Sequence, residues 1–413
     1  MRVYWPVALI CLLMVGVASA QDQARQEPTR TPMPSLSTPK LIVVDFARPE
    51  PFDSNARLWF SLNQLFGEAD RRVGRAGGDA RWYGRAAQFV TLGYLNLAIG
   101  HYSHELGHNV HARGWSIDFT NWSHWPWPAW VHGRCQPGYC SDEKGLSPLD
   151  GLDRGLQRVS AGLNAEEYDA FFLYRRLLTG MSYDEGMAFV FRKLSAATYE
   201  AYTRRAPNGD VIVYTAWLHS KGISLSEGAF VREAALSDLL TARLWESAAG
   251  VWAYLKHGTR ERASFSFRLG RWKVLPPLVS FYGTPSGGFY DAVLLAQPRE
   301  DRVLEVHLGR DADMFGAGRV NRVRVGGEYS FLFPQRRGMP AEVGALAYVS
   351  MSRSPFSAKG WHAGVRGEAR VVSRLALSGR AEYSSGDILE NTVKWVPNGF
   401  RATVGLSWSF KTY

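Results

Sequence analysis

A chain of 413 residues exceeds what one ordinary hydrophobic core organises, so two domains are expected. Its 48 Lys and Arg against 38 Asp and Glu leave a formal charge of +10. No Lys/Arg block is dense enough for nucleic-acid binding, which excludes that partner class and leaves an anionic lipid surface as the simpler match for the excess charge.

Arg2, an apolar run from Val7 to Val17 and Ala18-Ser19-Ala20 ahead of Gln21 predict a secretory signal peptide over 1–20. Residues 21–40, rich in Pro, Ser, Thr and Gln, read as a flexible leader. Loss of the signal removes Cys11 and leaves Cys135 and Cys140 in an oxidising compartment. There the segment RCQPGYC predicts a short-loop disulfide, with a two-cysteine metal ligand pair as the alternative.

Residues 41–258 read as an α-helical domain. Leu41 to Phe46 is either a single strand or a packed extended segment, and 57–73 has helical spacing ended by glycines. The next helix, 86–113, has apolar positions at Leu92, Leu95, Ile99, Tyr102 and Leu106 and carries His104-Glu105-Leu106-Gly107-His108. Histidines four apart share one helix face, so both imidazoles can reach a single Zn²⁺, with Glu105 beside them to take a proton from water. His101 and His111 extend the stripe, and a polar helix face without chemistry is the bland alternative. Trp122, Trp125, Trp127 and Trp130 follow among prolines, which forbid a regular helix and predict a loop bearing four indoles.

Asn164 reads as a helix N-cap, placing Glu166 and Glu167 in a first turn. There they either stabilise the helix dipole or supply the third protein ligand that a two-histidine zinc site needs. His104-Glu105-x-x-His108, followed 59 residues later by Glu167-Tyr168-Asp169-Ala170, resembles the gluzincin class of zinc metallopeptidases. The layout is nearest to the membrane-associated peptidases that include the prenyl-protein proteases. The resemblance implies a zinc ion held by His104, His108 and Glu167, Glu105 as general base, and a peptide or protein substrate. Phe171 stands where that family has Asp. HELGH also resembles the intramembrane site-two proteases, whose third ligand is an aspartate from a later membrane helix, although this chain has no long uncharged span.

Three further helices are expected over 183–206, 210–222 and 225–256, with Ser224 or Ser226 as a cap and Gly258 as a stop. After Gly258 the apolar period becomes two. Strands are expected at 262–269, 273–283, 287–297, 302–309, 322–331, 341–351, 361–370, 375–383 and 400–410, with a short tenth at 391–395. One face carries aliphatics, aromatics and glycine, the other Arg and Glu. That pattern predicts an antiparallel β-barrel of about 8–10 strands over 259–413, transmembrane, with a soluble β-domain as the alternative.

The expected fold class is therefore α+β: a helical zincin-like domain followed by an outer-membrane-type barrel. The resemblance implies a zinc metallopeptidase exported to the bacterial outer membrane, its helical domain periplasmic. The alternative is a non-enzymatic outer-membrane barrel protein whose helical domain carries a structural or vestigial metal site. A metal-sequestering protein, its site enlarged by His101 and His111, is a third reading.

Overall fold

Seven α-helices and thirteen strands make up the described part of the computed structural model. It describes residues 40–45, 51–113, 148–176, 178, 180–203, 209–262, 264–312, 321–333, 340–353, 359–372, 375–386 and 399–409. The signal and leader, Cys135 and Cys140, the tryptophan-rich segment and the short strand expected at 391–395 lie outside the described residues.

The helices are α1 (Pro51–Arg75), α2 (Trp82–Arg113), α3 (Pro148–Arg176), α4 (Tyr183–Thr203), α5 (Asp210–Ser220), α6 (Glu227–Leu240) and α7 (Ala242–His257). Capping fixes several ends. Ser226 Oγ accepts the Ala229 N–H at the start of α6, and Gly258 ends α7 in the left-handed region at φ 74°. The single helix expected over 225–256 breaks at Thr241. Its buried hydroxyl hydrogen-bonds Ser237 O and the backbone of Val279, competing with helical continuation.

A second expectation is corrected at Asn164, which lies inside α3 rather than at its start. Its side-chain amide accepts the Gly283 N–H and donates to Gly283 O, both at 2.8 Å, so it acts as a bridge to the sheet.

β1 (Lys40–Asp45) realises the strand alternative for the first apolar run. β2 (Met181–Ser182) pairs with β3 (Glu261–Arg262). Then come β4 (Phe267–Leu269), β5 (Trp272–Val274), β6 (Leu278–Thr284), β7 (Gly287–Arg299), β8 (Arg302–Asp311), β9 (Asn321–Leu332), β10 (Pro340–Arg353), β11 (Lys359–Val372), β12 (Leu375–Gly386) and β13 (Gly399–Ser409). Pro276-Pro277 splits the strand expected over 273–283 into β5 and β6, since proline cannot donate to a ladder.

These strands form one antiparallel sheet in the order β1-β13-β12-β11-β10-β9-β8-β7-β5-β4, with β6 also pairing β7. The fold is α+β. Among the described residues no ladder joins the β1 edge to β4, β5 or β6, so the described sheet is open.

The sheet is polar on its buried face and apolar on its exposed one. Asp291, Glu305, His307, Arg322, Arg324, Glu328, His362 and Glu382 are all buried. On the opposite face Leu308, Val325, Val349, Trp361, Val365, Tyr383 and Phe400 are exposed, Val325 by 52% and Phe400 by 73%. A sheet of a water-soluble sandwich has the reverse polarity.

The helices pack against one end of this sheet. The main core joins Ala161, Ala165, Phe171, Tyr174 and Phe189 to Leu278, Val293, Leu295 and Val303. At its end α3 runs onto the charged face: Phe171 meets the His307 ring edge-on, and Arg175 approaches Glu305 (3.2 Å), Glu328 (3.4 Å) and Glu342 (3.7 Å). Among the described residues no helix is long and apolar enough to cross a membrane.

Candidate functional site: a histidine and aspartate cluster

The helix carrying HELGH forms as the spacing predicts, and a small residue inside the motif determines what it packs against. A Cβ added at Gly107 would fall 2.5 Å from Ala161 O, so α2 and α3 cross there at backbone contact. That crossing buries His104 completely and leaves His108 one-fifth exposed. Gly162, one residue on in α3, lies directly against both rings. A Cβ there would come within 2.5 Å of His104 Nε2 and 2.6 Å of His108 Nε2.

The third group is Asp210, the first residue of α5, after an extended Gly209. Its Oδ2 lies 2.9 Å from His104 Nε2 and 3.1 Å from His108 Nε2, and the two nitrogens are 3.1 Å apart. One ligand atom from each residue thus converges on one small volume.

The far side of each imidazole is also held. His108 Nδ1 is 2.7 Å from Arg158 O, and since a carbonyl only accepts, Nδ1 carries the hydrogen. His104 Nδ1 faces Glu166 Oε1 at 3.6 Å, an ion-pair contact longer than a direct hydrogen bond. A neutral imidazole protonated on Nδ1 presents its Nε2 lone pair, so both rings are set to donate toward Asp210 Oδ2.

The electrostatics favour a positive charge at that point. Burial opposes the charged form of His104, yet hydrogen bonds to Asp210 and Glu166 outweigh it and take its pKa up to about 10. Burial would raise Asp210, but His108 and His104 hold it far below the usual carboxylate range. Burial, with the charges of His104 and His108, pushes His101 down to about 4, so it stays neutral beside them.

The donor set fits a divalent metal. Tetrahedral zinc with bonds near 2.0–2.1 Å separates its ligand atoms by about 3.3 Å, and the separations here are 2.9–3.1 Å. Ligand atoms a few tenths of an ångström closer than that need only move apart slightly.

The expected site residues are thus partly brought together. His104 and His108 converge. Glu105 sits between them on α2, its side chain outside the described residues. Glu167 is not at the imidazoles. Its carboxylate lies 2.8 Å from the buried Lys193 Nζ, which also contacts Asp238 Oδ1 at 2.9 Å. Burial pushes Glu167 up to about 7 although Lys193 pulls it back. Successive helical residues point about 100° apart, so when Glu166 faces α2 its neighbour faces α4 and α6. Asp210 was missed because nothing near HELGH marks it. Its only local signal is an acid just after Asn208-Gly209 at a helix start, which also suits the helix dipole.

No family model matches the chain, and no curated protein or solved structure is significantly similar to it.

Proposed function

We propose that the chain is a zinc-dependent metallopeptidase held in the bacterial outer membrane by a barrel to which β7–β13 contribute the wall. The convergence of His104 Nε2, His108 Nε2 and Asp210 Oδ2 within 3.1 Å, each imidazole backed on its Nδ1 side, carries this reading. His104, His108 and Asp210 would hold the ion, an aspartate replacing the glutamate expected at position 167. Bound zinc supplies a Lewis acid and a water of lowered pKa. Glu105, adjacent to His104 in the motif, takes a proton on its carboxylate and returns it to the leaving amine of a peptide substrate. Glu166 and Arg158 O hold the imidazole tautomers while this happens. The exposed apolar face and buried charged face of the strands support the membrane placement, as does their length of 10–14 residues.

Glu105→Gln is expected to bind zinc at wild-type stoichiometry and to lose casein or peptide hydrolysis by about a hundredfold or more. Zinc content by elemental analysis and turnover of a quenched fluorescent peptide library provide the two readouts. Undiminished turnover in Glu105→Gln, or in chelated wild-type protein, would overturn the reading.

A further inference from the structure

Behind His104 lies a second layer of ionisable groups that the proposed chemistry does not use. Asp169, one turn after Glu166 on α3, is buried at 4% exposure, and Arg192 on α4 at 0%. Arg192 Nε is 3.9 Å from Asp169 Oδ2, and its Nη1 donates to Asn96 O at 3.0 Å. Arg192 Nε and Nη2 and Asp169 Oδ2 have no hydrogen-bond partner among the described residues. Asp169 is also hydrogen-bonded to Ser103, the residue preceding His104. Burial pushes Asp169 up to about 7, against the pull of Arg192 and Ser103. Glu166 and Asp169 therefore bracket the Ser103-His104 step from α3, with Arg192 facing both from α4.

A loosely satisfied, fully buried ion pair is a poor source of stability. Its desolvation cost is several kcal/mol per ion by general estimate, and apolar replacements of such pairs are often neutral or better. Its net charge is more informative. Asp210, Glu166 and Asp169 supply three negative charges and Arg192 one positive charge, while His101 is neutral. Two negative charges remain uncompensated, the number that one divalent cation neutralises.

We infer that Asp169 and Arg192 are positioning residues of the metal centre, forming with Glu166 a buried counter-charge layer that fits the site to a divalent cation. The inference rests on the metal reading of His104, His108 and Asp210. Asp169 fixes the Ser103-His104 backbone through its hydrogen bond and adds a negative charge behind the ligand. Arg192 limits the excess to two.

The test is a double-variant cycle read by Zn²⁺ affinity, in competition with a chromogenic chelator, on the full chain folded in detergent at pH 8. Asp169→Asn preserves shape and an acceptor for Ser103 but removes one negative charge. It is expected to weaken Zn²⁺ binding tenfold or more. Asp169→Asn combined with Arg192→Met restores two uncompensated charges and is expected to recover affinity to within about threefold of wild type. A merely structural pair would instead lose affinity further in the double variant, in step with a falling melting temperature. Wild-type affinity in Asp169→Asn, or no recovery in the double variant, overturns the inference while leaving the metal site standing. Failure of the wild-type chain to bind Zn²⁺ or Co²⁺ at all overturns the metal reading itself.

Discussion

Gly162 is the most exacting residue of the site because it is defined by the space it leaves. Both Nε2 atoms lie where its side chain would begin, so any substituent moves the histidines or the helix. Gly162→Ala is expected to lower zinc affinity by at least tenfold, with a stability loss of about 1–3 kcal/mol from overpacking. Isothermal titration with Zn²⁺ alongside denaturant melts separates the two effects. Away from the site, Arg260 bonds Asp79 (2.5 Å), Asp70 (2.6 Å) and Gln88 (2.5 Å) and lies over the Tyr254 ring. Burial would raise Asp79, but hydrogen bonds from Arg260 and Tyr254 lower it, so its stabilisation is present above the ordinary carboxylate pKa. That stabilisation disappears as the pH falls through its depressed folded value. Burial raises Asp70 instead, so acidification relieves a cost there and partly offsets the loss. Arg260→Gln should therefore be less stable at pH 7 and show a shallower fall in melting temperature below about pH 4 than wild type.

At the scale of elements, α3 organises the molecule. Arg158 O and Glu166 back the two histidines, Gly162 admits them, Asn164 bridges to β6, and Arg175 reaches three glutamates of the sheet. Little of this was legible in the sequence. The HELGH helix and the alternating strands from 287 onward were readable because each is a local periodicity that its own residues enforce. Asn164 misled because Asn is favoured at N-caps, whereas here a tertiary hydrogen-bond pair with Gly283 holds it mid-helix. The choice among Glu166, Glu167 and Asp210 was not readable at all. It depends on how α3 is rotated against α2 and α4, and Asp210 lies 102 residues beyond His108.

For the whole molecule the inverted polarity of the sheet governs behaviour. Glu305 at 2% exposure and Arg324 at 1% sit inside while Val325, Trp361 and Phe400 face out. If the outer face meets lipid, Val325→Lys near the middle of β9 costs about 2–4 kcal/mol of folding free energy in bilayers. The same change at a water-exposed site would stay within about 0.5 kcal/mol. Urea titration of folding into phosphatidylcholine vesicles distinguishes them, and an unaltered midpoint would count against the membrane placement. The opposed charges within, such as Arg366 with Glu328 and Glu342 or Arg401 with Glu382, leave that interior close to electrically balanced.

The pairing of β1 with β13 sets Lys40 opposite Ser409, so the first and last described residues are hydrogen-bonded neighbours. Every strand between them can find its partner by a short hairpin or a modest loop, but β1 must wait for the last one to exist. Loop closure grows only logarithmically with length, and the intervening sheet has already drawn the ends together, so the delay costs little free energy. What it imposes is an order of events: the seam is among the last contacts to form, and a chain interrupted anywhere before β13 carries β1 as a strand with no partner.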